Sequence, residues 1–375
     1  DAWKNIEGET VNKYTNVSDN EAIGDWGSPS EDDQLSSNEN DDNSYSSVGE
    51  LSTLPAVTNL KVMNIFDFNH RKCCPLNYSF SECEYSACKF TDNSAQADLV
   101  MINGARLKGL ILPPRPLGQI WLMYTKEPPT FKRFKSLGRR DFYNQVNWTR
   151  CIFRDSTFRG HYGSLESRAP PPNKDYDEVF AQKRYQAALF VSHCNSPSRR
   201  DEYVKRMRSE IDVDIFGNCG NKTCGHHGLR LNLYGSKDPC LQQVSMDYKF
   251  YLSFENSMCS DYVTEKFYKL FENVDVIPVV RGGANYSERA PAGSYVNAED
   301  FGSPEELGKY LYKLSKNKQE YLRMLKIKDR YTNAFPKPRY SCELCKALHT
   351  RRDMPSTYDN ILTWMTDHCW LPSDL

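Results

Sequence analysis

A chain of 375 residues, 39% of them hydrophobic, is long enough for two ordinary domains with cores of their own. Its formal net charge of -1 conceals a lopsided distribution: residues 1–53 hold 13 Asp and Glu against 2 Lys and Arg, leaving 46 basic against 36 acidic residues in the remainder. No run of 18 apolar residues occurs, so no stretch is suited to spanning a bilayer as a helix; the basic body suits an anionic ligand, and nucleic acid is not expected as a partner.

In chain order, residues 1–53 come first, rich in Ser, Asn and Gly and poor in large apolar side chains. Such a segment cannot bury enough surface to offset its ordering entropy, and it is expected to be a disordered acidic stem. The chain begins at Asp1 rather than Met, so any anchor or signal segment is expected to lie ahead of it. From residue 54 short apolar runs bounded by Pro, Gly or polar clusters predict strands: "KVMNIFDF", "ADLVMI", "GLILPP", "QIWLMY" and "NWTRCIFRDS". The proline-rich "SRAPPPNKDYDE" marks a domain boundary. Two units of one design follow. "AALFVSHCN", "SRRDEYVKRMRSEI" and "VDIFG" read as strand, helix, strand, and so do "YKFYLSFEN", "YVTEKFYKLFEN" and "VDVIPVV". Continuous apolar strands joined by helices predict a buried parallel sheet with right-handed crossovers. A single long helix is expected from Ser303 as N-cap, through Pro304 and the capping-box Glu306, to "YLRML".

The 13 cysteines, with N-x-S/T sequons at Asn16, Asn77, Asn147, Asn221 and Asn285, favour the secretory pathway and disulfides. The odd count leaves an unpaired thiol, expected at Cys151 or Cys194. In open parallel sheets ligands bind at the carboxyl ends of strands, where "SHCN" and "FENS" lie. The loop before "VTEK" exposes backbone N–H groups, and Lys266 adds a positive charge. Arg199 and Arg200 open the other crossover helix, so two cationic helix starts could converge on a diphosphate. On pattern alone, Glu265 and Lys266 fit a solvated helix face equally well. Neither G-x-G-x-x-G nor G-x-x-x-x-G-K-[ST] is present, which disfavours dinucleotide and P-loop sites.

"FYLSFENSMCSDYVTEKFY" resembles the donor-binding signature of α1,3-fucosyltransferases, inverting enzymes that use GDP-fucose. "CEYSACKFTDNSAQADLV", "WLMYTKEPPT", "NWTRCIFRDSTFRGHYG" and "CELCKALH" resemble further stretches of that family in the same order, so the resemblance spans most of residues 80–350. It implies an α/β fold of two Rossmann-like domains facing across a cleft (GT-B-like). An acceptor-side domain is expected over 54–172, a GDP-fucose domain over 173–335 and a cysteine-bearing tail over 336–375. It implies Glu127 as the base that deprotonates the acceptor, and Arg200 and Lys266 as cations on the diphosphate. Glu265 would hold fucose hydroxyls, while Ser192, Glu255, Asn256 and Tyr262 would line the nucleotide pocket. Fixed cations stabilise charge developing on the departing phosphate, and one carboxylate takes the proton of the attacking hydroxyl. No cofactor is required on this reading, and a divalent metal would be stimulatory at most.

Read with that resemblance, Cys342 and Cys345 are expected to bridge Cys83 and Cys88. The "DVD" at Asp212–Asp214 falls in a predicted strand and is not expected to bind metal. "CGNKTCGHH" with Cys240 has the residue types of a zinc site but the spacing of no common module. His161, His193, His226 and His227 lack a nucleophile or metal partner at recognisable spacing and are expected at the surface or in packing. The acceptor implied is a GlcNAc 3-hydroxyl, foremost the innermost GlcNAc of N-glycans, as in invertebrate enzymes with similar cysteines. The alternatives are lactosamine GlcNAc, giving Lewis-type structures, or a non-catalytic carbohydrate-binding protein of the same fold. The implied location is the Golgi lumen, as part of a type II membrane protein.

Overall fold

The computed structural model describes residues 59–66, 76–220, 222–224, 238–334, 340–351 and 357–375, so the acidic stem at 1–53 lies outside the described residues. The first apolar runs become β1 (Lys61–Phe66), β2 (Cys88–Thr91), β3 (Leu99–Asn103), β4 (Ile120–Tyr124), β5 (Trp148–Cys151) and β6 (Phe158–Arg159). They form one parallel sheet in the order β2-β1-β3-β4-β5-β6. Four consecutive residues of β3 and four of β4 are buried, as expected where both faces of a sheet are covered. Among the described residues no α-helix joins these strands; the links are loops and 3₁₀ turns such as Gly104–Arg106 and Lys132–Gly138. The strand expected at "GLILPP" does not form. Gly109 has φ +77°, Ile111 is 88% exposed, and Pro113 and Pro114 have no N–H to give a ladder.

The chain continues through β7 (Ser164–Ser167), α1 (Tyr176–Gln182), β8 (Tyr185–Phe190), α2 (Arg200–Met207), β9 (Val213–Phe216), α3 (Pro239–Asp247) and β10 (Tyr248–Phe254). Next come β11 (Met258–Cys259), α4 (Glu265–Tyr268), β12 (Ile277–Arg281) and β13 (Val296–Asn297). The second sheet is also parallel, ordered β13-β12-β10-β8-β9. The helix after "FENS" is shorter than expected: α4 has four residues and passes into a 3₁₀ turn at Lys269–Phe271. The long helix is two, α5 (Pro304–Lys316) and α6 (Lys318–Lys328). Asn317 separates them and caps the second, its side chain accepting from the Glu320 N–H. The remaining elements are β14 (Tyr331–Ala334), α7 (Tyr340–Thr350), α8 (Ile361–Thr366) and β15 (Cys369–Trp370). β14 pairs antiparallel with β7, and β15 with β11.

Both sheets belong to one compact unit. One apolar cluster packs Trp121, Met123, Phe134 and Phe153 of the first half with Tyr262, Phe267, Tyr286 and Met365. A second packs β8 and β10 against α2, α5 and α6 through Leu189, Val204, Phe250, Leu307 and Leu325. Among the described residues the disulfides are Cys83–Cys342, Cys88–Cys345, Cys194–Cys219, Cys224–Cys240 and Cys259–Cys369. The first two fasten α7 beside β2. Cys194 is therefore bonded, and among the described residues Cys151 is the free thiol, buried, its pKa pushed up to about 12 by burial. With Cys219, Cys224 and Cys240 all in disulfides, none offers a thiolate to zinc; His226 and His227 lie outside the described residues.

The C-terminal segment is also held: Arg281, 2% exposed, makes a bidentate ion pair with Asp374 at 2.6 and 2.7 Å. Of the sequons, Asn77 and Asn285 are exposed, while Asn16 and Asn221 lie outside the described residues. Asn147 is corrected: it is 4% exposed, so its amide is packed inside the fold rather than presented for glycan attachment, and its Oδ1 accepts from Arg115 at 2.5 Å and from the Trp121 N–H at 3.0 Å.

Candidate functional site

β4 runs into "TKEPPT", which is shaped before any ligand is considered. The Thr125 N–H donates to the Arg150 carbonyl at 3.0 Å, the Glu127 N–H donates to Thr125 Oγ1 at 3.0 Å, and Pro128 and Pro129 are buried. Glu127 is thereby left half-buried at the carboxyl end of the first sheet. Its Oε1 accepts from the Tyr162 hydroxyl at 3.1 Å and its Oε2 from the Tyr262 hydroxyl at 3.3 Å. Each oxygen is oriented by a phenol and retains a lone pair. The preceding Lys126 lies over the Tyr162 ring at 5.2 Å. Burial and the charge of Arg150 push its pKa down to about 8, against the pull of Glu265.

The carboxyl end of β10 supplies the other wall. Glu255 has 0% of its surface exposed and accepts from the Thr264 N–H at 2.8 Å and the Thr264 hydroxyl at 3.0 Å. Burial pushes its carboxyl up. Thr264 also caps α4 and accepts from Lys266 Nζ at 2.9 Å, while the same ammonium reaches Glu255 at 3.4 Å and Glu265 at 3.3 Å. Burial alone would lower the Lys266 pKa, but the two carboxylates outweigh it and raise it, so the ammonium stays charged. For Glu265, burial opposes ionisation, yet Lys266 and Lys269 prevail and hold it below the usual range. Lys269 is itself buried behind the site, over Tyr251 at 5.1 Å, and burial pushes it to about 8.

The two walls are joined. Tyr262, one residue beyond the Asp261 turn, reaches across to Glu127, and Thr130 Oγ1 lies 2.8 Å from Ser257 Oγ. Asn256 hydrogen-bonds Tyr262 through its side chain, and its Oδ1 is buried with no protein partner, an acceptor open to a ligand N–H or O–H.

The structure thus brings together Glu127, Glu255, Asn256, Tyr262, Glu265 and Lys266. It corrects two of the expected pocket residues. Glu255 and Tyr262 are 0% and 1% exposed, and they support Lys266 and Glu127 from beneath rather than presenting a lining surface. Arg200 is 3% exposed and donates to the Phe254 carbonyl at 3.0 Å and the His193 carbonyl at 3.3 Å, so it ties the two strand ends together. Its Nε is buried without a partner, and its charge acts on Lys266. Arg199 turns outward with φ +51° and pairs with Glu202 at 2.6 Å. Because α4 has only four residues, positive charge near the site comes from side chains more than from a helix dipole. Ser192 is exposed in the turn after β8, its carbonyl accepting from Asn218 at 3.5 Å, outside the network around Lys266. Asp214 accepts from the Tyr248 hydroxyl at 2.7 Å within β9.

Reasoning from sequence missed Tyr162, Lys126, Thr264 and Thr130. Thr264 carried a signal, as a Thr directly before Glu-Lys at a helix start. Tyr162 contacts Glu127 across 35 residues, and no spacing rule finds it. Chemically, the arrangement sets a proton-accepting carboxylate opposite an ammonium locked in its charged form, the pairing required to activate a hydroxyl while an anionic group departs.

Comparison with known proteins places these residues among relatives. The family described as "Glycosyltransferase family 10 (fucosyltransferase) C-term" matches residues 180–364. Glycoprotein 3-alpha-L-fucosyltransferase A of Drosophila melanogaster is 30% identical over 293 residues, covering 76% of this chain and 55% of that protein. Alpha-(1,3)-fucosyltransferase C of the same organism is 32% identical over 300 residues, covering 74% and 67%. Alpha-(1,3)-fucosyltransferase fut-1 of Caenorhabditis elegans is 29% identical over 279 residues, covering 70% and 60%. The chain therefore spans 55% to 67% of the length of these relatives. A crystal structure of an alpha1,3-fucosyltransferase with GDP-fucose matches with a TM-score of 0.51 at 17% identity, over 84% of this chain and 96% of that one. That likeness shows the fold, two Rossmann-like halves of GT-B type.

Proposed function

Because this chain belongs to the glycosyltransferase family 10 fucosyltransferases, we propose that it transfers L-fucose from GDP-fucose, with inversion, to the 3-hydroxyl of a GlcNAc. The observation that carries the reading is the Glu127 carboxylate, held between Tyr162 and Tyr262 against the same segment that locks Lys266 in its ammonium form. Glu127 acts as the base that takes the acceptor proton. Lys266, with Arg200 behind it, neutralises charge on the departing diphosphate, and Glu265 holds fucose hydroxyls. Asn256 offers a buried acceptor to the nucleotide.

The innermost GlcNAc of N-glycans is the acceptor we favour. In support, one similar relative is named as acting on glycoproteins and carries 30% identity. The deciding experiment incubates the protein with GDP-fucose and defined acceptors, N-glycans and lactosamines, with products read by mass and linkage. Fucose on the core GlcNAc supports the reading, Lewis-type products move the acceptor outward, and no product on any acceptor overturns it. Two fixed cations make a metal dispensable: treatment with EDTA is expected to leave at least half the rate, and a dead enzyme restored by a divalent ion would refute this. Five disulfides among the described residues suit the Golgi lumen, where we place the working protein. No helix among the described residues is long and apolar enough to cross a membrane.

A further inference from the structure

Groups that face a ligand from strand ends need a frame that fixes the backbone beneath them. In the second sheet an arginine builds much of that frame. Arg281, the last residue of β12, donates from Nε and Nη2 to the two oxygens of Asp374 and from Nη1 to the Ser198 carbonyl at 2.8 Å. Its guanidinium lies over the Tyr203 ring of α2, 4.5 Å from the centre. Arg281 thus reaches from β12 to the turn between β8 and α2, past the end of β10, which lies between those strands in the sheet. Ser198, 0% exposed, passes the brace on: its N–H donates to the Asn256 carbonyl at 3.0 Å and its hydroxyl to the Glu255 carbonyl at 2.6 Å. The Glu255 N–H in turn donates to the Arg281 carbonyl at 2.9 Å. The two residues clamped in this way carry a counter-charge of Lys266 and the open acceptor Asn256 Oδ1.

Asp374 arrives from the C-terminal segment, and that segment is itself placed. Cys369 is bonded to Cys259 and opposes it across β11 and β15, and the Ser260 N–H donates to the His368 carbonyl at 2.8 Å. Leu375 packs against the apolar cluster of the second sheet. Among the described residues, Asp374 is the carboxylate that meets the buried Arg281 guanidinium. A buried charge stripped of its counter-ion is costly, and its donors then lose the fixed direction that a bidentate pair imposes. Packing at the strand exits leaves little slack to absorb a change, since a Cβ on Gly282 would stand 3.2 Å from Glu255 Cγ.

We propose that Asp374 is a positioning residue for the donor pocket: it orients Arg281, and through Ser198 the pair sets the backbone of Glu255 and Asn256, and with it the place of Lys266 and of Asn256 Oδ1. This rests on the reading of that wall as the GDP-fucose site. Asp374 and Arg281 act through the frame, without touching the donor. Their effect reaches binding because groups of a preorganised site must hold their places to within about 0.5 Å.

The test measures GDP affinity by calorimetry, beside thermal melting and the KM for each substrate. Asp374→Asn is expected to weaken GDP binding and raise KM for GDP-fucose by about tenfold, short of the roughly hundredfold that a 1 Å misplacement costs. KM for the acceptor should stay within about twofold. Asp374→Asn also strands a buried charge, so a second variant, Arg281→Met with Asp374→Asn, removes both charges and spares the fold that penalty. It is expected to melt close to the wild type and still to bind GDP about tenfold more weakly. Asp374→Glu, which keeps the charge, should fall between Asp374→Asn and the wild type. A double variant that folds and binds GDP as the wild type does overturns the proposal. So does an Asp374→Asn protein that loses melting temperature alone, or one whose acceptor KM rises as much as its donor KM. Where the asparagine variants do not fold, Asp374→Glu decides, and GDP affinity equal to the wild type refutes the pair. A wild type that binds GDP but fucosylates nothing sinks the transferase reading, and calorimetry on the variants still judges Asp374; a wild type that binds no GDP sinks both.

Discussion

The two sheets solve one problem, presenting polar groups at strand ends, by different means. In the second, strands alternate with α2, α3 and α4, and the groups that matter in β10's exit (Glu255, Asn256, Tyr262, Thr264, Glu265 and Lys266) sit within 12 consecutive residues. In the first, among the described residues, loops and 3₁₀ turns replace the helices, and Glu127 takes its partners from Tyr162 and from the opposite half. A charged group such as a diphosphate needs a preformed constellation, and a local, capped, buried network provides one. A variable glycan is better met by loops on a fixed frame. On the proposed function, the halves divide the work, donor chemistry on one side and acceptor choice and proton transfer on the other.

The largest expected effect tests that division. Glu127→Gln keeps the shape and removes the base, so kcat should fall by about 10²–10⁴-fold while GDP affinity by calorimetry stays within twofold. An equal loss of GDP affinity would mean the halves are not separable. Lys266→Met should strike the donor side alone in the opposite sense, weakening GDP binding by about tenfold or more. Stability should also fall by about 3–5 kcal/mol, because Glu255 and Glu265 lose their shared buried counter-charge. Lys266→Arg should recover stability more than turnover, measured by thermal melting beside initial rates.

Opening the bridges that fasten α7 to the first half, with Cys342→Ser and Cys345→Ser together, should cost at least about 2–5 kcal/mol in chemical denaturation, with GDP affinity in the folded fraction preserved. The smallest effect concerns His161. In the folded chain it takes up a proton near pH 4, and in the unfolded chain near pH 6.5. Between those values the unfolded state binds more protons, so stability should rise with pH across that window. His161→Gln should flatten the rise, and an unchanged melting profile would overturn that expectation.

The contrast also explains what could be read in advance. The second sheet was legible because its strands are continuous apolar runs and its site is contiguous; "FENS" and "VTEK" announce themselves. Even there the lengths of α4 and of the α5–α6 pair escaped, since Asn317 ends one helix by capping the next. Burial was illegible: Glu255 and Tyr262 looked like pocket residues, and only packing reveals them as supports. In the first half, Glu127 was found through its resemblance and its prolines, but Tyr162 and the Thr130–Ser257 link, 127 residues apart, arise from tertiary approach. The strand expected at "GLILPP" failed because apolar residues alone do not pair when prolines remove the donors. The sequon at Asn147 failed because a tripeptide says nothing of Arg115 and Trp121.

The bridges between the two ends have a consequence for biosynthesis. Cys83 and Cys88 find their mates 259 and 257 residues later. At about 5–20 residues per second of translation, both thiols wait on the order of ten seconds to a minute before Cys342 and Cys345 emerge, and under the proposed location that wait is spent in an oxidising lumen. On that reading, a disulfide isomerase or early burial of the first strands would bring the two thiols to the tail uncommitted.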